Sequence, residues 1–260
     1  MSMNLAIKDR LFVVTGATSG IGNSIAKALL EEGSRLIINA RNKHSLMDFQ
    51  SSWPDQIQIL PGDITTDTTI SKLTRMISDK KLDGIVLNAA GPPAKAFSKT
   101  SITDWDDAYA SLLRWKVKLT QYMIPVFEKQ NYGRMVFIES SSVKQPIDRL
   151  MLSTSLRLAV VGFVKSLSRE VADKGITMNI LAPGYHATPR LEELFESKAL
   201  LLGISPEDAR KEFINETLVG KLGDPEDLAS LAAWLLSPKS RFITGQTISV
   251  DGGMIRSTFS

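Results

Sequence analysis

Between a short apolar run and an amphipathic one lies the stretch TGATSGIG, Thr15 to Gly22, with glycines at 16, 20 and 22. Those spacings suit a pyrophosphate. Glycine permits the tight dihedrals of the turn, brings backbone close to the anion, and lets the following helix pack on the preceding strand. The helix start adds unpaired N–H groups and a partial positive charge. Thr18, Ser19 and Ile21 complete the turn, and a nucleotide is the expected ligand. A second apolar run, RLIINA (35–40), ends at Ala40 and is followed by Arg41. Enzymes that read a ribose 2′-hydroxyl place a carboxylate at such a strand end. A guanidinium fork fits a 2′-phosphate instead. Arg41 therefore favours NADP(H), with NAD(H) the weaker fit.

These residues need a scaffold that brings several strand ends together. Short apolar or β-branched runs supply it: LFVVT (11–15), RLIINA (35–40), IQIL (57–60), GIVLN (84–88), RMVFIE (134–139), ITMNILA (176–182) and TISV (247–250). Continuous apolar runs of this length suit strands covered on both faces. Between them lie segments with apolar residues three and four apart, such as SIAKALLEEG, whose Gly33 ends it as a helix cap would. The alternation implies a doubly wound parallel sheet with helices on both faces. No linker, repeat or low-complexity tract divides the chain, so 1–260 reads as one domain. The one irregular segment, 185–221, holds two short amphipathic helix candidates, the second with Ser205 as N-cap and Pro206 at the first helical position.

Composition excludes several other classes. With 260 residues, a net charge of +3 and no long basic run, a nucleic acid or an anionic membrane is not expected as a partner. Cysteine is absent, which removes disulfides and thiol chemistry, and no metal site is assigned. The start lacks a signal-peptide core and no run of 18 apolar residues occurs, so a cytoplasmic location is expected.

TGATSGIG, Asp63 in GDI, NAAG at 88–91, GITMNILAPG ending at Gly184 and ITGQTISVDGG ending at Gly253 occur in that order along the chain. Together they resemble the short-chain dehydrogenase/reductase family, and most of all its 3-oxoacyl-(acyl-carrier-protein) reductase-like branch. GPPAKAF, SVKQP and LRLAVVG resemble a divergent subgroup of that branch. The resemblance implies a Rossmann-type sheet of seven strands, order 3-2-1-4-5-6-7, acting with NAD(H) or NADP(H) on a small-molecule carbonyl or alcohol. It also implies a substrate lid at 185–221 and a homotetramer. By the same resemblance Asp63 and Ile64 would meet the adenine, Asn88, Ala89 and Gly91 the ribose, and Pro183, Gly184 and Thr188 the nicotinamide. From the residues alone, Asp63 could instead cap the next helix and Asn88 could tie two strands together.

The family's chemistry uses a serine after the fifth strand, a tyrosine as acid, a lysine four residues on, and an asparagine in the preceding long helix. FIESSSVKQP supplies a serine, assigned as Ser142 immediately before Val143. Counting back from GFVKSLSRE places the tyrosine position at Ser153 and the lysine position at Arg157; counting back from GRMVFI places the asparagine position at Leu112. The four tyrosines are Tyr109, Tyr122, Tyr132 and Tyr185, and none has a lysine four residues later. Arg157 keeps charge and donors enough for ribose hydroxyls but cannot release a proton near neutral pH. Ser153 is a weak acid unless activated. Lys144, in the loop expected to edge the pocket, is the nearest replacement, and Tyr185 and His186 lie past the Pro183–Gly184 turn. Glu139 could orient a helix or pair with a base. The candidate catalytic residues are thus Ser142, Lys144, Ser153 and Arg157. Two readings follow: an NADP(H)-dependent oxidoreductase with an atypical proton donor, or a nucleotide-binding sensor or structural homologue without turnover.

Overall fold

The computed structural model describes residues 4–258. Seven parallel strands form one sheet: β1 (Leu11–Thr15), β2 (Arg35–Ala40), β3 (Ile57–Pro61), β4 (Gly84–Leu87), β5 (Gly133–Ile138), β6 (Ile176–Pro183) and β7 (Thr247–Val250). Their order is β3-β2-β1-β4-β5-β6-β7, as expected. The apolar runs of the sequence are these strands, with ends displaced by a residue at most. Asn88 and Glu139 fall just beyond β4 and β5, which puts both at the carboxyl edge of the sheet.

The helices are α1 (Gly20–Glu31), α2 (Lys43–Ser51), α3 (Asp67–Ile77), α4 (Ile102–Tyr109), α5 (Trp115–Gln130), α6 (Met151–Val171), α7 (Pro189–Leu202), α8 (Pro206–Asn215) and α9 (Pro225–Leu236). Successive strand residues point to opposite faces. In β1, Phe12 and Val14 join a core with Ile25 and Leu29 of α1 and Ala232 and Leu236 of α9. Leu11 and Val13 join the opposite core with Leu119 and Met123 of α5 and Val160 and Val164 of α6. Both faces are covered, which is why the strands read as unbroken apolar runs rather than alternating ones. The segment Met151–Lys174 has the length and hydropathy of a membrane span. Here Val160, Val164 and Val171 within it pack in the sheet core.

Two departures from regular structure bear on the site. Between α4 and α5 the chain makes a wide π-type turn, Ala110–Arg114, a feature frequent near functional sites. Beyond β6, α7 and α8 build a small core of their own from Tyr185, Leu191, Phe195, Ala199, Ala209, Phe213 and Met254. The Phe213 ring lies 4.6 Å from Tyr185 and 5.0 Å from Phe195, centre to centre. Ser205 caps α8 by accepting from Asp208 N–H at 3.1 Å, and Pro206 opens the helix, as the sequence predicts.

Candidate active site

The carboxyl ends of the central strands open on a cavity of about 810 Å³. It sits where the strand order reverses, between β1 and β4, the place where open α/β sheets bind ligands. Gly16, Thr18, Ser19, Gly20 and Ile21 form one wall. Ser19 is the N-cap of α1, yet its side chain makes no capping bond. By contrast Asn42, Thr66, Thr188, Ser205 and Asp224 each cap their helices with a side-chain oxygen. The donors at the start of α1 are therefore left for an anion, which is the fit a pyrophosphate requires. Gly22 does not line the cavity. A Cβ there would come 2.1 Å from the Gly16 carbonyl oxygen, so this glycine lets α1 pack against the turn.

One end of the cavity carries Arg41, Asp63 and Ile64. Arg41 is exposed and has no ion-pair partner among the described residues. Asp63 Oδ1 accepts from Thr65 N–H at 2.9 Å and from the Thr65 hydroxyl at 2.8 Å. The cap of α3 is Thr66, not Asp63. Asn88 does tie strands together: its N–H donates to Thr15 Oγ1 at 2.8 Å, and its side chain reaches the Gly16 carbonyl at 3.4 Å. Asn88, Ala89 and Gly91 nevertheless line the cavity.

Ser153 and Arg157 line the other end, one helical turn apart on α6. Arg157 Nε donates to Ser153 Oγ at 3.0 Å, while its Nη1 donates to Glu139 Oε2 at 2.8 Å and to the Ile138 carbonyl at 3.3 Å. The other oxygen of Glu139 takes a bond from Lys116 Nζ. Lys116, Glu139 and Arg157 are 1%, 4% and 6% exposed, so two cations share one carboxylate out of water. Burial pulls the Lys116 ammonium below its ordinary value, Glu139 opposes that shift, and Arg157 adds to it. Leu112, at the asparagine position, is fully buried and offers no polar group. Sequence reasoning does not single out Lys116. Its signal is a lysine on the buried stripe Leu112, Trp115, Leu119, Met123, Phe127, at helical spacing.

The serine assignment needs correcting. Ser140 and Ser141 line the cavity, whereas Ser142 and Lys144 lie outside its wall. Ser140 is extended, and the next three residues form a tight 3₁₀ turn in which Ser142 N–H donates to Ser140 Oγ at 3.1 Å. That turn carries the Ser142 hydroxyl into the interior, where it has no partner among the described residues. Tyr185 lines the cavity, but its hydroxyl donates to Glu216 Oε2 at 2.8 Å, and burial pushes the phenol up. His186 is packed on Gly223, where burial lowers its pKa, and its Nδ1 lies 3.4 Å from the Gly184 carbonyl.

Pro183, Gly184 and Thr188 complete the wall. Thr188 caps α7, and Gly20 would meet its methyl group at 3.3 Å if it carried a Cβ, so α7 starts against the glycine turn. Arg190 of the same helix donates to the Pro92 carbonyl at 3.1 Å, linking α7 to the NAAGPP loop.

A family model described as "Enoyl-(Acyl carrier protein) reductase" matches residues 16–255. The 3-oxoacyl-[acyl-carrier-protein] reductase FabG of Rickettsia bellii is 31% identical over 244 residues, 94% of this chain and 95% of that protein. The NADPH-dependent reductase BacG of Bacillus subtilis is 27% identical over 258 residues, 96% and 100% of the two chains. Among solved structures, a variant of actinorhodin polyketide ketoreductase with NADPH superposes with a TM-score of 0.91 at 26% identity, covering 99% of this chain and 100% of the other. YwfH, described as an NADPH-dependent reductase involved in bacilysin biosynthesis, superposes with a TM-score of 0.90 at 26% identity over 96% and 100%. With the seven-stranded order, the glycine turn and these matches along nearly its whole length, the chain belongs to the short-chain dehydrogenase/reductase family.

Proposed function

We propose that this protein is an NADP(H)-dependent oxidoreductase that interconverts a carbonyl and an alcohol, with Ser153 and Arg157 in place of the family's tyrosine and lysine. One observation carries the reading: a guanidinium-bonded hydroxyl stands at one end of a cavity whose adjoining wall is the uncapped start of α1. The NADPH named for the Bacillus relative and for the ketoreductase structure supports the choice of cofactor. In this reading α1 holds the pyrophosphate, Arg41 the 2′-phosphate, and Asp63 and Ile64 the adenine. Asn88, Ala89 and Gly91 flank the ribose, Arg157 holds the nicotinamide ribose hydroxyls, and Pro183, Gly184 and Thr188 border the nicotinamide. When bound, the dinucleotide supplies or accepts the hydride.

Ser153 Oγ accepts from Arg157, which leaves its own hydrogen free to face a substrate oxygen in the cavity. The adjacent positive charge makes that hydroxyl a better donor than an isolated serine. Ser140, also on the wall, is the second hydroxyl within the site. Residues 185–221 serve as the substrate lid of a single domain. The working form is a cytoplasmic homotetramer in which the faces of α4–α6 that expose Tyr109, Tyr122 and Leu158 pair protomers and the C-terminal strand region pairs the dimers. Light scattering at the mass of the 28.6 kDa monomer would exclude that assembly.

The test is to titrate NADPH and NADH by fluorescence and then follow NADPH oxidation against a panel of aldehydes and ketones. Fast reduction of at least one substrate is expected. A slow residual rate with every substrate would favour a nucleotide-binding protein without turnover.

A further inference from the structure

Two cations and one carboxylate meet out of water at the Arg157 end of the cavity. Glu139 bonds Arg157 at 2.8 Å through one oxygen and Lys116 through the other. A single ion pair would have neutralised the carboxylate. The third partner leaves one unit of positive charge over, on side chains that are at most 8% exposed. The other charges near this end do not pair with it among the described residues: Arg190 is paired with Glu193 at 2.8 Å, Glu216 takes the Tyr185 hydroxyl, and Asp224, Asp227 and Asp251 act on His186.

We propose that Lys116 is a specificity-determining residue for the redox state of the cofactor: the surplus charge it adds behind Glu139 and Arg157 makes the site hold the uncharged dihydronicotinamide in preference to the cationic nicotinamide ring. This rests on the NADP(H) reading above, in which Arg41 takes the adenosine 2′-phosphate and the nicotinamide half therefore lies toward Arg157. The two forms of the cofactor share every phosphate, sugar and adenine contact, so those contacts cancel in the ratio of their affinities. What remains is the unit charge on the ring. At an effective dielectric near 20, one nearby buried charge changes that ratio on the order of tenfold.

The charge follows the protonation of Lys116. The groups facing its ammonium are Glu139 from the end of β5, Arg157 from α6, and the Trp115 ring of its own helix at 5.7 Å. His186, lowered by burial, is already neutral above pH 7, and Tyr185 is raised by its burial. Burial lowers Lys116 and Glu139 opposes the shift, so its ammonium gives up a proton at lower pH than an exposed lysine does.

The experiment measures Kd for NADP⁺ and for NADPH by calorimetry on the full chain, unsubstituted and as Lys116→Met and Lys116→Gln, from about pH 7 to about pH 9.5. In the unsubstituted protein the ratio of Kd for NADP⁺ to Kd for NADPH is expected to narrow as pH rises. Both neutral variants are expected to lower the ratio about tenfold at pH 7 and to make it independent of pH. A merely structural role for Lys116 would weaken both ligands alike and leave the ratio where it was; that result overturns the proposal. Should neither variant fold, the pH series of the unsubstituted protein decides, a narrowing ratio supporting the proposal and a flat one overturning it. Failure of the unsubstituted protein to bind either nucleotide would instead overturn the cofactor reading on which this rests.

Discussion

Arg157 Nε and Ser153 Oγ lie 3.0 Å apart, one turn of α6 separating them, with the guanidinium as donor. The bond fixes which way the serine can act. Its oxygen is engaged by Arg157, and its hydrogen is left for the cavity. Removing the hydroxyl should cost turnover without costing cofactor. Ser153→Ala is expected to lower kcat on the order of a hundredfold, the lower range for a positioned acid, with NADPH affinity unchanged. Arg157→Ala should lower both, because the guanidinium also serves the ribose in the proposed pose. Steady-state rates alongside fluorescence titration separate the two effects. An unaltered kcat in Ser153→Ala would remove this hydroxyl from the chemistry.

Ser142 gives a stability test of the corrected assignment. Its hydroxyl is buried and has no partner among the described residues. An unpaired buried hydroxyl costs free energy that alanine does not. Ser142→Ala is therefore expected to be neutral or to stabilise the protein by up to about 1 kcal/mol, with turnover unchanged. Ser140→Ala, by contrast, removes a cavity-wall hydroxyl and should reduce kcat. Urea unfolding of both variants checks the first statement and initial rates the second. A large loss of activity in Ser142→Ala would restore Ser142 to the site.

Arg41 is exposed, unpaired among the described residues, and next to Asn42, the cap of α2. A charge-assisted bond to a 2′-phosphate contributes about 1.5–3 kcal/mol, which corresponds to roughly ten- to a hundredfold in affinity. NADPH should bind more tightly than NADH by that factor, and Arg41→Ala should bring the two together. Equal affinities in the unsubstituted protein would leave Arg41 a solvated side chain at a strand end.

The sheet was legible because its strands are buried on both faces: runs such as LFVVT cannot be amphipathic helices of that length, and the glycine turn marks where the first must end. The nucleotide wall was legible for the same reason, since Gly16 and Gly20 are needed by the backbone itself. What escaped was set by tertiary contacts. Whether Ser140 or Ser142 faces the cavity depends on the 3₁₀ turn after β5, and no periodicity announces a single tight turn. Lys116 looks like any helix lysine until α5 is packed against β5 and its neighbours Trp115 and Leu119 are seen to be fully buried. Glu139 could be noted at a strand end, but its two partners come from helices 23 residues before it and 18 after it.

His186 supplies the last test, one of pH. Burial against Gly223 pushes its imidazole below the ordinary value, and the Gly184 carbonyl with Asp227, Asp224 and Asp251 only partly offsets this. In the unfolded chain the ring takes up a proton near its ordinary pKa of about 6.5. In the folded protein it does so only at lower pH. Below about pH 6.5 the unfolded state therefore binds more protons, and stability must fall with pH. The contribution of His186 is fully present above that pH and is lost as pH falls through the folded value. Its largest slope is about 1.4 kcal/mol per pH unit. Carboxylates add a slope of their own at lower pH, so the comparison is between proteins rather than between conditions. His186→Gln removes the titrating group and should unfold in urea with a shallower loss of stability between pH 7 and 5 than the unsubstituted protein. Two identical slopes would mean that the ring is as free to take a proton in the folded protein as in water, contrary to its packing against Gly223.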